Sequence, residues 1–301
     1  MLTKILNHHY DVNFLKHSKK YIFLSVTLIL GSIILLGTTG LNKGIDFAGG
    51  ILIEARFIEE PSLKQLRTNL NNLSLGDVSL QDLGNPKDIM IRVGLDDSIE
   101  KAQLEKVSTI KSFLNTNYNN QIDFRRTDFV GPTIGKELIK SGTVALIYAF
   151  VIILIYIWIR FNYRFGVGAL LALLHDVILT FGFFAILKLE FNLTSIAAIL
   201  TIIGYSINDS VVIYDRIREN FRKYRSKKVP EIINLSLNET LNRTILTAIT
   251  TIVALLALVI LGGPVLKSFS LGVLFGVIVG TYSSIFIAAP VINNNKIKMI
   301  K

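Results

Sequence analysis

Residues 193–214 read LTSIAAILTIIGYSINDSVVIY and carry a single charge, Asp209. A bilayer core about 30 Å thick is crossed by roughly 20 apolar helical residues, so this stretch is long enough to span one. A charge at the bilayer centre costs at least about 2.5 kcal/mol, which makes Asp209 a functional-site hypothesis in its own right. Thr201, Tyr205 and Asn208 recur at helical spacing along the same segment, with Asp209 about 100° round from Asn208. That face is too polar for lipid and must look into a helix bundle or toward a partner.

Five further apolar stretches flank this one, at 21–41, 138–159, 165–187, 244–261 and 268–289. The composition agrees with a polytopic α-helical membrane protein of six transmembrane helices. Of 301 residues, 51% are hydrophobic and 18% charged, and the mean hydropathy of +0.51 is too high for an ordinary water-soluble enzyme. The absence of cysteine excludes a disulfide scaffold, thiolate zinc sites, iron–sulfur clusters and thiol nucleophiles. The first apolar stretch follows Lys4, Lys16, Lys19 and Lys20 but lacks an A-x-A site, so it reads as an uncleaved anchor rather than a signal peptide.

Basic residues orient the spans. The arm 1–20, the turn holding Arg160 and Arg164, and the tail 290–301 with Lys296, Lys298 and Lys301 all fall on one side. So does the link 215–243, with Arg216, Arg218, Arg222, Lys223, Arg225, Lys227, Lys228 and Arg243. That side is assigned to the cytoplasm, with both termini in it and the chain in the bacterial cytoplasmic (inner) membrane. The net charge of +10 is thus a topology signal rather than a nucleic-acid footprint, and anionic headgroups or an acidic partner are the natural counterparts of the 216–228 cluster. Between Asn42 and Gly135 the 11 basic and 13 acidic residues nearly balance.

That outer segment, 42–137, has a soluble pattern. A β-rich run at 51–58 is followed by a helix at 62–73, with Leu63, Leu66, Leu70 and Leu73 on one face after Pro61 and Ser62. Strands follow at 78–83 and 89–93 around the turn Gly84-Asn85-Pro86, then a helix at 98–118 with Ile99, Leu104, Val107, Ile110 and Leu114 in register. A last strand runs over 122–130. The order β-α-β-β-α-β predicts a small α+β ferredoxin-like extracytoplasmic domain between the first two spans. Without His, Cys or a nucleotide fingerprint it reads as a contact or moving element.

Two spans carry ionisable residues. The third holds His175 and Asp176, which suit either a proton relay or a structural hydrogen-bonding role, and the same two readings apply to Asn208 beside Asp209. For Asp209 there is a candidate counter-ion, Arg243, at the start of the fifth span, followed by Thr247, Thr250 and Thr251 on a polar stripe. An arginine nearby and the loss of water act on a carboxylate in opposite senses, so helix geometry can move its protonation. A carboxylate that gains and loses a proton as helices shift can couple a membrane protein to a gradient worth roughly 2.3 kcal/mol per charge per 100 mV. Gly44-Ile45-Asp46-Phe47-Ala48-Gly49-Gly50 lacks the GK[ST] ending of a phosphate loop and reads as an Asx-type turn leading from membrane to strand. Gly272, Gly276 and Gly280 form a GxxxGxxxG packing stripe. Asp176 and Asp209 also raise the aspartyl intramembrane protease, but no GxGD, HExxH or GxSxG sequence is present, and no enzyme activity, cofactor or metal is expected.

The Gly44–Gly50 motif, His175-Asp176, the run from Gly204 through Asp209 to Asp215-Arg216-Ile217-Arg218-Glu219-Asn220, Leu241-Asn242-Arg243-Thr244 and Gly262-Gly263 together resemble the SecD/SecF family. Six spans with one outer domain fit its smaller-subunit branch. The resemblance implies half of an RND-superfamily transporter that uses the proton-motive force to promote preprotein export through the Sec pathway. It places a proton relay on Asp209, Arg243 and Thr247, and it identifies Gly44, Asp46, Phe47, Gly49 and Gly50 as the family's motif turn. Implied partners are SecD, the channel proteins SecY, SecE and SecG, the translocating preprotein, YajC and the YidC insertase. The alternatives are half of a small-molecule or lipid exporter, or a non-transporting scaffold of the translocon.

Overall fold

The computed structural model describes residues 11–73, 76, 78–94, 100–118 and 122–294. Lys4, Ser98, Ile99 and the tail lysines 296, 298 and 301 lie outside the described residues. The chain divides into two compact units, residues 43–144 and the remainder.

The 43–144 unit is built on β1 (Gly50–Phe57), α1 (Leu63–Asn71), β2 (Val78–Asp82), β3 (Asp88–Val93), α2 (Glu100–Asn117) and β4 (Ile122–Val130). The strands form one antiparallel sheet in the order β2-β3-β1-β4, the split βαβ arrangement that the element order predicts. Period-2 alternation sends Ile51, Ile53, Ala55 and Phe57 of β1 and Ile89, Ile91 and Val93 of β3 to one face. There they pack on Leu66 and Leu70 of α1 and on Ile110 and Leu114 of α2. Leu63 stays 38% exposed in the first turn of α1, where Ser62 caps the Gln65 amide.

The motif turn 44–50 is a single helical turn, Ile45–Ala48, closed by backbone bonds from Phe47 and Ala48 to the Gly44 carbonyl and from Gly49 to that of Ile45. Gly50 then takes φ +138°, and a Cβ there would stand 2.7 Å from the Val93 carbonyl, so only glycine starts β1 at this point.

On the other sheet face, the pairing of β1 with β4 shifts register between Glu54 and Ala55. The resulting irregularity lets consecutive arginines reach acids on the same sheet: Arg125 approaches Asp88 at 3.6 Å and Arg126 meets Asp128 at 2.5 Å. Arg56 donates through Nε (2.6 Å) and Nη2 (2.8 Å) to the two oxygens of Asp88. These bonds from Arg56, with the charge of Arg125, hold the Asp88 carboxyl below its ordinary 3.8 despite burial. A lowered folded pKa gives stability that is present above the ordinary value and lost as pH falls through the folded one. We expect Asp88→Asn to reduce hydrogen-exchange protection of β1 and β3 near neutral pH and to differ little from wild type near pH 2. A difference that does not change with pH would contradict this.

Among the described residues six helices are long and apolar enough to cross a membrane. They are α3 (Ser18–Thr38), α4 (Pro132–Arg160), α5 (Tyr163–Ile186), α6 (Leu193–Lys223), α7 (Val229–Leu261) and α8 (Gly263–Ser283), with α4 beginning in the 43–144 unit. In the chain α3 precedes β1. A π-helical turn, Ser284–Ala288, and a short helix α9 (Ala289–Asn294) continue α8.

At 31 and 33 residues, α6 and α7 are about 46 and 50 Å long, well beyond a hydrocarbon core of about 30 Å. The charged stretch 215–243 is therefore mostly helix, interrupted at 224–228. Arg216 and Asn220 of α6 bind Glu239 of α7 at 2.7 and 2.6 Å, and Asn220 also reaches Ser236. The segment before α3 is strapped to the same helix: Asn238 exchanges two 2.9 Å bonds with the backbone of Val12, and Asn234 accepts from the Phe14 amide. Phe14 then enters a core with Ile157, Phe165, Tyr214, Ile217, Ile233 and Leu237.

Candidate functional site

The glycine stripe of α8 lies flat on α6. A Cβ on Gly276 would overlap the side chain of the fully buried Ile202, and one on Gly280 would come within 3.1 Å of Ser206 Cβ. A Cβ on Gly272 would press on the Phe184 ring at 2.8 Å. Such close approach is what small residues allow between membrane helices, where lipid supplies no hydrophobic drive.

Asp176, with no exposed surface, sits where α5, α6 and α8 meet. Its Oδ2 accepts from Ser206 of α6 (2.6 Å) and Ser283 of α8 (2.7 Å), and its Oδ1 lies 2.9 Å from His175 Nδ1. Thr180 donates to the Asp176 carbonyl. The carboxyl thus ties three spans together with both oxygens engaged. The His175 ring lies 5.9 Å from that of Tyr282, whose hydroxyl bonds to the Tyr21 carbonyl and to Ser25 of α3. Four residues C-terminal to Asp209's neighbour Ser210, Tyr214 donates to the Ala288 carbonyl of the π turn (3.4 Å). α6 is therefore held to its neighbours on both sides of Asp209, at Ser206 and at Tyr214.

Asp209 is 3% exposed, and its Oδ2 has no hydrogen-bond partner among the described residues. Arg243, at the level where α7 leaves the charged stretch, acts on it electrostatically, yet no salt bridge joins them. Thr244, beside Arg243, is 1% exposed with its hydroxyl also unpartnered. Thr247 donates to its own helix, at the Arg243 and Thr244 carbonyls, and neighbours Tyr205 rather than bonding to Asp209. Asn208, Thr201 and Gly204 lie exposed along one side of α6. Arg243, Thr250, Ala254 and Ala257 make a comparable exposed row of polar and small residues on α7.

The structure thus separates the residues singled out in the sequence into two settings. At Asp176 both carboxyl oxygens are bonded, although the buried His175 Nε2 has no hydrogen-bond partner among the described residues; Asp209 lies in a seam with Arg243 and Thr247 and its Oδ2 is unpartnered. Ser206 and Ser283, the partners of Asp176, do not stand out in the sequence. The one trace is that Ser283 continues the glycine stripe three residues beyond Gly280, and Ser206 lies opposite that stripe.

A six-span bundle with a buried carboxylate on one helix and a basic residue on the next, plus a ferredoxin-like unit between the first two spans, defines a multi-pass membrane protein of transporter type. Comparison narrows this further. The family model described as protein export membrane protein SecD/SecF, C-terminal, matches residues 109–298, and that of the SecD/SecF GG motif matches 34–57. The chain is 51% identical over 289 residues to the protein translocase subunit SecF of Rickettsia conorii, covering 96% of this chain and 93% of that one. It is 52% identical to the protein of the same name from Rickettsia bellii, covering 96% and 95%. The crystal structure of SecDF, a translocon-associated membrane protein from Thermus thermophilus, superposes with a TM-score of 0.82 at 31% identity. That alignment covers 96% of this chain, which spans 39% of the SecDF chain. The chain belongs to the SecD/SecF family of protein-export membrane proteins.

Proposed function

We propose that this chain is a SecF-type accessory subunit of protein export and that it draws on the proton-motive force through Asp209. It is a transport component rather than an enzyme. Support for its place in export comes from near full-length likeness to proteins named protein translocase subunit SecF. The likeness to one segment of SecDF points to SecD as the partner. The exposed small and polar rows of α6 and α7 are a suitable seat for that partner, because lipid is a poor solvent for Asn208, Thr201 and Arg243. The reading places both termini in the cytoplasm and the protein in the inner membrane. Its further partners are SecY, SecE, SecG and the preprotein, with YajC and YidC.

The observation that carries the coupling is the contrast between the two buried carboxylates. Both oxygens of Asp176 are bonded, whereas Asp209 Oδ2 has no hydrogen-bond partner among the described residues and lies in the field of Arg243, a residue of a different helix. Protonation of Asp209 removes its attraction to Arg243, α6 and α7 repack, and the outer domains of the complex move against the emerging chain. Thr247 belongs to this path, next to Tyr205. The proposal predicts that, in inverted membrane vesicles supplied with ATP, a protonophore abolishes the increment of export that this chain adds. An increment that survives the protonophore would support the scaffold alternative.

A further inference from the structure

At the junction both Asp176 oxygens are bonded and the one unpartnered atom is His175 Nε2, whereas the seam between α6, α7 and α8 gathers several unpartnered oxygens. Besides Asp209 Oδ2 and Thr244 Oγ1, the hydroxyls of Tyr205 on α6 and Thr281 on α8 are shielded from solvent and lack a hydrogen-bond partner among the described residues. Tyr205 faces Thr247 and Thr251 of α7 and Thr281 of α8 without reaching hydrogen-bond geometry to any of them, and it lies in the field of Asp209. Thr247 and Thr251 give their hydroxyl protons to their own helix, so toward the seam they can only accept.

Leaving one buried polar atom without a partner costs about 1–3 kcal/mol. Four such atoms along one seam call for a shared partner, and grouped buried polar atoms are ordinarily bridged by water making two to four bonds. Their order is also directional. Tyr205 is four residues, about 6 Å, nearer the N-terminal end of α6 than Asp209. Thr244 lies beside Arg243, at the other end of the stripe. The charged or titratable groups acting on Asp209 are Arg243 from α7 and Tyr205 from its own helix, while α8 contributes the Thr281 hydroxyl. On α5, Asp176 is engaged by Ser206, Ser283 and His175 Nδ1, and His175 Nε2 has no hydrogen-bond partner among the described residues.

We infer that this seam is a hydrated proton path in which Tyr205, with Thr281 and Thr244, holds bridging water and delivers protons to Asp209. The inference rests on the reading of Asp209 as the coupling carboxylate. One proton enters at the water between Thr281 and Tyr205 and moves by exchange of O–H bonds. It ends on the Asp209 carboxylate, leaving the hydroxyls and water as they were. Tyr205 is then a relay residue, and its hydroxyl rather than its ring is what matters.

Infrared difference spectroscopy of the complex with SecD tests this. The carboxylic C=O band that appears on acidification and is lost in Asp209→Asn belongs to Asp209, and its deuterium exchange rate reports access to the group. Tyr205→Phe, which keeps the ring, should slow that exchange at least tenfold while the complex elutes as wild type. Thr281→Val, from a different helix, should slow it as well, so the test survives if one variant does not fold. Exchange within twofold of wild type in both variants would overturn the path while leaving Asp209 as the coupling group. If no titrating band depends on Asp209, the coupling reading and the path fail together.

Discussion

Asp209→Asn is expected to leave the protein assembled and to abolish its contribution to export. Asparagine matches the size of aspartate but cannot take up a proton. Because Asp209 Oδ2 has no hydrogen-bond partner among the described residues, and no salt bridge to Arg243 is broken, the substitution removes charge and titration with little packing cost. Neutralising a carboxylate at membrane depth should, if anything, favour the folded chain. The check is pulse-labelled export of a model preprotein in cells depleted of the native protein and complemented at equal membrane levels. Precursor should accumulate with the asparagine variant as it does without complementation. A scaffold would support normal processing.

The second large effect is structural. Gly276→Leu should prevent the bundle from forming its tightest contact, because even a Cβ at this position overlaps Ile202 of α6. Ile202 has no exposed surface and is β-branched, so it has few rotamers into which to retreat. Overpacking of this kind typically costs about 1–3 kcal/mol, occasionally more, and leucine adds three further carbons. The protein should lose its monodisperse peak in detergent or melt at a clearly lower temperature, and Ile202→Ala should recover part of the loss. Gly204→Leu is the control, since nothing lies within 4 Å of a Cβ there and the position is exposed in the isolated chain. Equal melting of Gly276→Leu and wild type would contradict the packing described.

Much of the architecture is legible in the residues themselves, for reasons that differ by region. The spans emerge because transfer into lipid is a sum over some 20 side chains, a signal few local exceptions can hide. The α+β unit emerges because Ile89, Ile91 and Val93 alternate and Leu66 and Leu70 recur at helical spacing, each period matching the face that becomes buried.

What hydropathy does not mark is where a helix ends. It stops near Tyr214 because charges begin, yet α6 continues to Lys223, stitched to α7 through Arg216, Asn220 and Glu239. Helix continuity depends on backbone bonds and these side-chain pairs, not on lipid solubility. Asp209 and Arg243 stand out because charge in a span is rare. Ser206, Ser283 and Thr281 do not, because a small hydroxyl residue is tolerated in any membrane helix. Its role is set by the neighbour it meets, Asp176 for the serines and Tyr205 for the threonine.

If Asp209 takes up and releases the proton that drives this subunit, proton flux through the complex depends on its carboxyl. The most direct test is proton movement into proteoliposomes containing the complex with SecD under an imposed gradient, comparing wild type with Asp209→Asn at matched incorporation. Wild type should show a flux above the lipid background and the variant none. Equal flux in the two would contradict this role of Asp209.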